Sequence, residues 1–451
     1  MRRETISAFS WQKCFPDCKT APTMKRTALI LLAALACGAV FPEEAAAQEN
    51  PAAVKTGWNF GPLPAVGFNT DLGFQMGALC DIYCYGDGAV YPEYYHKFNV
   101  EASYYTKGSG VFHLFYDSKH LIPGVRMTAA ATYMTNRKYS FYGFNGAASV
   151  YLPELDSNAD EGVAFYNVRR DYLRILADFQ GKIGGSWGWA AGLAFKDYRV
   201  GDIELEQYDP HRTLYRRYID SGIIDRDEMY GGMHLEMKAG VVYDSRDAEA
   251  APSRGIWSEL CLIGTPDVFS GKYSYMKLSA HFRHYLPLWR ERVVFAYHLA
   301  YQGTIAGEAP FYVQQDISTL YLRQINSEGL GSINTIRGTL YNRMVGDGYA
   351  WSNMELRIKL FSFDFIGQHW YAATNPFFDF GAVVQPYRLD RMKLADASDI
   401  YSGNGERLHC SAGLGIKLAM NENFIVSAEG AVPFSANDGT FGMNIGLGYI
   451  F

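Results

Sequence analysis

The sequence predicts an all-β protein, a transmembrane antiparallel β-barrel of about sixteen strands. Three observations carry that expectation. The chain begins with an export signal, its body alternates apolar and polar residues with a period of two, and its connections alternate short and long. Composition agrees: 451 residues include 45 Gly, 33 Tyr and 15% aromatics, a mixture suited to strands and turns rather than long helices. The net charge of −6, with no run of Lys or Arg, argues against nucleic acid as a partner.

The export signal starts at Met24 in "MKRTALILLAALACGAVFPEEAAAQEN". Lys25 and Arg26 form a charged start, Thr27 to Ala36 an apolar core too short to span a membrane, and Ala45-Ala46-Ala47 a small-residue cleavage site before Gln48. The expected organisation is a disordered extension over 1–23, a signal peptide over 24–47 and one barrel over 48–451, with no linker. Lipidation at Cys37 is the alternative reading of the same segment; Ala34-Leu35-Ala36 lacks a leucine three places upstream of that cysteine.

Strand periodicity is strictest at the C-terminal end. In "TFGMNIGLGYIF", Phe441, Met443, Ile445, Leu447, Tyr449 and Phe451 fall on one face, with Gly442, Asn444, Gly446 and Gly448 on the other. Met276, Leu278, Ala280, Phe282 and Leu286 likewise oppose Tyr275, Lys277, Ser279, His281 and Arg283. Met354, Leu356, Ile358 and Leu360 oppose Asn353, Glu355, Arg357 and Lys359. Bulky apolar faces with aromatic ends, such as Trp187-Trp189 and Trp370-Tyr371, suit a lipid-facing wall around a wet lumen. Backbone groups in lipid must all be paired, so the sheet is expected to close.

Short turns fall at Ile122-Pro123-Gly124, 181–187 and 287–292. Long loops fall near 137–162, 200–229, 308–348 and 385–406. After cleavage Cys80, Cys84, Cys261 and Cys410 remain. In a straight strand Cys80 and Cys84 sit roughly 13 Å apart, too far for a disulfide.

Several stretches together resemble the barrel of the BamA/TamA-type outer-membrane superfamily, the bacterial surface antigens. "PAVGFNTDLGFQMGA" (64–78) is similar to that family's first hairpin, and "VVYDSRDAEAAPSRG" (241–255) resembles its Asp-x-Arg-Asp…Pro-x-x-Gly turn. "IRGT" (336–339) resembles its Val-Arg-Gly-aromatic loop motif, and "FFDFG" (377–381) its Phe-x-Asp-x-Gly strand motif. The aromatic end, Tyr449 and Phe451, resembles its assembly signal.

The resemblance implies an inward-folded loop that brings Arg337 to acids on the inner wall. Alternation supplies such acids independently: Glu355 and Asp379, with Gly381, fall on lumen-facing positions. A guanidinium can grip a carboxylate bidentately, and Gly338 allows a sharp bend behind it. The expected lock is therefore Arg337, Gly338, Glu355, Asp379 and Gly381. In the turn motif, Arg246 between Asp244 and Asp247 is expected to organise the chain, with Pro252 and Gly255 closing it.

Two features depart from the family pattern. Thr339 stands where an aromatic is usual, with Leu340 or Tyr341 as substitutes. About a dozen residues separate Gln48 from the first strand, which leaves no room for the periplasmic docking (POTRA) domains of the best-known members.

Enzymatic patterns fail on context. Ser186 in "GGSWG" lies in a turn between strands, not at a strand-to-helix elbow. "DSNADEG" (156–162) resembles a calcium loop, but its Gly comes late and position twelve is Asn167. No enzyme activity, cofactor or metal is expected. The resemblance implies assistance to insertion or translocation of outer-membrane or surface proteins, through a weak seam between the first strand, near 64–70, and the last, near 440–451. The expected partners are outer-membrane lipid and other outer-membrane or client proteins. A partly plugged channel or a scaffold subunit is the alternative.

Overall fold

A computed structural model describes residues 54–451 except 71, 92, 157–163, 206–207, 270–271, 321–328, 366–367, 388, 390–400, 403 and 421–423. The predicted signal segments, Cys37 and most of the calcium-loop-like stretch lie outside the described residues.

Sixteen strands follow one another around a closed antiparallel barrel. They are β1 (Trp58–Asn69), β2 (Gly73–Cys84), β3 (His96–Tyr105), β4 (Ser109–Ile122), β5 (Val125–Ser140), β6 (Asn167–Gly184), β7 (Trp187–Gly201) and β8 (Gly231–Asp244). Then come β9 (Gly255–Thr265), β10 (Tyr275–Trp289), β11 (Val293–Gly307), β12 (Gly348–Phe365), β13 (Gln368–Gln385), β14 (His409–Met420), β15 (Phe424–Pro433) and β16 (Gly442–Leu447). The count matches the expectation, and every strand pairs with its sequence neighbours.

Alternation sorts the two faces as predicted. Leu193, Met237, Leu260, Leu262 and Ile416 project outward as an apolar wall, while Lys196, Glu236, Glu259 and Lys417 are buried inside. A water-soluble barrel would reverse this pattern, so the outer wall is built for lipid. The four predicted long loops all emerge at one end, as 141–166, 202–230, 308–347 and 386–408. Outer-membrane barrels carry their long loops outside the cell and short turns toward the periplasm.

The long loops make a dome over the lumen. Phe141 and Phe144, Tyr218 on the two-turn helix α1 (Leu214–Asp220), and Phe311 and Tyr312 share one aromatic core. Thr213 caps α1 by accepting from the Arg216 amide. The buried Arg343 guanidinium stitches three loops together through the carbonyls of Gly146, Ser149 and Asn437, at 3.2, 2.8 and 2.6 Å. Beneath the dome, a cavity of about 80 Å³ lies between residues 316–320 and the walls of β4 to β8.

One strand departs from expectation. The terminal alternation was expected to run on one outward face through Phe451, but β16 stops at Leu447. Gly448 takes a left-handed φ of +80°, and Tyr449 and Phe451 turn into the lumen, 6% and 4% exposed.

Candidate functional site: an ionic latch behind a short seam

Loop 308–347 dips into the barrel, anchored by Ile317, Leu330, Ile336 and Met344 against Tyr349, Trp351 and Val383. This apolar seating places Arg337 against the inner wall. Its Nε and Nη2 donate to the two carboxylate oxygens of Asp379 at 2.7 and 2.9 Å, and its backbone amide adds a third bond to Asp379 at 3.1 Å. Nη1 reaches Glu355 at 2.6 Å and Glu429 at 3.1 Å. The guanidinium also lies 3.4 Å from the Phe377 ring centre. All four charged side chains are at most 3% exposed.

The acids have further partners. Arg357 donates to Glu355 at 3.0 Å, Lys417 to Glu429 at 2.7 Å, and Asn375 bridges Glu355 and Glu429 at 3.3 and 2.9 Å. Three cations therefore face three carboxylates, a neutral cluster that can persist in a dry interior only while every member is paired.

The structure brings Arg337, Glu355 and Asp379 together. Gly338 has φ +85°, and a Cβ there would meet the Cβ of Ala431 at 2.6 Å, so no larger residue fits without movement. Gly381 faces the lumen but belongs to a different contact: it leaves room for Trp351 on the neighbouring strand, whose Cβ would lie 2.7 Å from an added methyl. Glu429, Lys417, Asn375 and Phe377 were missed, although their parity on β13, β14 and β15 places them on the inner face.

The latch backs onto the seam. A Cβ on Gly442 of β16 would stand 2.7 Å from Gly338 Cα, and Leu340 N donates to Asp438 O at 2.9 Å. The seam itself is brief. Strands β1 and β2 pair along all twelve residues of β1, whereas β1 and β16 pair only at Phe68–Ile445 and Asn69–Asn444. Thr70 extends the contact by donating to Met443 O at 3.2 Å and accepting from Met443 N at 2.7 Å. Below that point the tail belongs to the latch: Arg357 lies 4.0 Å from the Tyr449 ring centre and donates to Phe451 O at 2.6 Å.

The turn motif occupies the short-turn end. Arg246 grips Asp244 at 2.9 and 2.7 Å and stacks on Trp257 at 4.1 Å. Asp247 accepts from the amides of Ser253 and Arg254 at 3.0 and 3.3 Å and from the Ser253 hydroxyl, Pro252 is buried, and Gly255 has φ +103°. The turn also reaches outward. Glu249 pairs with Arg126 at 3.1 Å and Lys119 at 3.2 Å, while Ala251 packs on a cluster from β13 to β15 and Tyr449. Burial acts to raise the Glu249 carboxyl, but Arg126 and Lys119 outweigh it and hold the group down to about 2. Segment 245–254 thus straps the short-turn mouth.

Among the described residues Cys80, Cys84, Cys261 and Cys410 are free thiols, and Ser186 lies in the turn between β6 and β7.

Comparison with known proteins agrees with this architecture. Among solved structures, BamA from Haemophilus ducreyi lacking POTRA domains 1–3 superposes with a TM-score of 0.54 at 15% identity, over 88% of this chain and 71% of that one. CdiB from Escherichia coli gives 0.54 at 11% identity, and the matched region spans 88% of this chain and 63% of CdiB. Identities this low speak to fold alone. No curated protein matches the sequence. The Omp85 superfamily domain matches residues 96–451. The chain belongs to the Omp85 superfamily of bacterial outer-membrane β-barrels.

Proposed function

We propose that this barrel assists the insertion or translocation of outer-membrane or surface proteins, by parting at the β1–β16 seam and presenting a strand edge. The seam's brevity carries this reading: two paired residues and the Thr70 contacts, against twelve pairs between β1 and β2. At about 0.5–1.5 kcal/mol per net hydrogen bond, parting it costs a few kcal/mol, less than parting β1 from β2 along twelve pairs or β15 from β16 along six. An exposed edge templates another strand through its unpaired backbone groups. The ionic latch supports the same reading, because it fastens loop 308–347 directly behind β15 and β16. In this reading the protein is not an enzyme, and its partners are client polypeptides and other outer-membrane proteins.

A passive channel fits less well, since the aromatic dome, the latch loop and the 245–254 strap all obstruct the lumen. Depletion in the native cell, with quantitation of the outer-membrane proteome, tests the proposal. Loss of other barrel or surface proteins supports it; an unchanged proteome refutes it.

A further inference from the structure

Strand β1 carries two prolines, Pro62 and Pro64, in the stretch beyond its pairing with β16. Backbone parity decides what they do there. In an antiparallel strand, one residue directs both its N–H and C=O to one neighbour, and the next residue directs both to the other. Gly57 donates to Gly86 O and accepts from Tyr85 N, so odd-numbered residues bond toward β2. Thr70 donates to Met443 O, so even-numbered residues bond across the seam. Both prolines are even-numbered. Their missing N–H groups therefore fall on the seam edge, which is why the β1–β2 ladder runs unbroken past two prolines.

Register then shows whom they face. Phe68 lies opposite Ile445, and Asn69 opposite Asn444. Continued in the same register, Val66 would face Leu447, Pro64 would face Tyr449, and Pro62 would face Phe451. These are the positions where the chain leaves the wall: Gly448 bends at φ +80°, and Tyr449 and Phe451 are buried in the lumen. The Phe451 carbonyl, which an N–H at position 62 would have served, takes its bond from Arg357 instead.

We propose that Pro62 and Pro64 set the limit of the seam. They deny Tyr449 and Phe451 their backbone donors, keep the barrel unzipped on the short-turn side of Val66, and leave an incoming strand two-way pairing at the even-numbered positions of β1 other than 62 and 64. Across 62–64 the edge accepts hydrogen bonds and donates none, so it fits an extended client segment that supplies N–H groups there. The client half of this inference rests on the insertion reading above; the unzipping half does not.

Disulfide trapping in the full-length barrel separates the two. Leu63 and Ile450 would be paired only if the tail zipped onto β1, and such a pair lies within disulfide reach. Asn69→Cys with Asn444→Cys reports the seam that is already closed. The expected result is that L63C/I450C stays reduced with both prolines present and becomes oxidised when Pro62→Val and Pro64→Val are added, while N69C/N444C links in both backgrounds. Valine restores the donors and favours a strand. Linkage of L63C/I450C in the proline-bearing protein overturns the proposal. So does its failure to link in a valine variant whose N69C/N444C pair links. If the double valine variant yields no barrel, Pro64→Val alone is read by the same criteria. The outer-membrane proteome, measured separately, tests the insertion reading without touching this one.

Discussion

Replacing Arg337 with alanine removes one of three cations from a buried neutral cluster. Glu355 keeps Arg357 at 3.0 Å, and Glu429 keeps Lys417 at 2.7 Å. Asp379 fares worse, since its two-pronged ion pair is with Arg337 itself. Breaking a buried pair by removing one partner costs about 3–5 kcal/mol. Loss of the stacked guanidinium over Phe377 adds about 0.5–2 kcal/mol. The first figure alone raises the released fraction of the loop tip by roughly two to nearly four orders of magnitude, at about 1.4 kcal/mol per factor of ten. Limited proteolysis of the folded barrel reads this directly, because cleavage near Leu340 and Tyr341 tracks the open population when opening is fast. Arg337→Ala with Asp379→Asn should recover part of the loss, since the stranded charge is gone. Equal cleavage rates in wild type and Arg337→Ala would refute the latch. An Asp379→Asn change that brings no recovery would refute the role given to Asp379.

Other changes probe separate parts. Gly338→Ala forces a side chain into the left-handed region at about 1–2 kcal/mol, before its collision with Ala431, and should loosen the same loop with the ionic groups intact; proteolysis measures it. Glu249 lies below the ordinary carboxylate value of about 4.3, so its contribution to the strap is complete above that pH and is lost as pH falls toward 2. Hydrogen exchange at 246–252, corrected for intrinsic rate, should quicken over that window in wild type and lose the dependence in Glu249→Gln. Arg246→Lys gives up the two-pronged bond to Asp244 and the stack on Trp257, at about 1 kcal/mol, and should lower the thermal unfolding midpoint.

Much of this was legible in the sequence because a period of two is a local property. The faces of β10 and β12 follow from alternation alone, and the four long loops fall close to the ranges read from the sequence. Arg337, Glu355 and Asp379 were accessible for the same reason, once a motif said that the loop folds inward. What alternation cannot give is which inward residues meet. Glu429 and Lys417 were visible as inward positions, but their reach to Arg337 depends on the stagger of four adjacent strands. Gly381 illustrates the reverse case, a lumen-facing position whose neighbour is Trp351 and not the latch. The tail was misread for a non-local reason. Tyr449 and Phe451 continue a flawless strand pattern, while the features that turn them inward are a single left-handed glycine and two prolines on the opposite end of the chain.

The account's central claim is that the β1–β16 seam must part for the protein to act. The most direct measurement is to make N69C/N444C the cell's sole copy and quantify the outer-membrane proteome with the disulfide formed and after reduction. The account predicts that the locked barrel depletes other outer-membrane proteins and that reductant restores them. A complete cross-link with an unchanged proteome would contradict it.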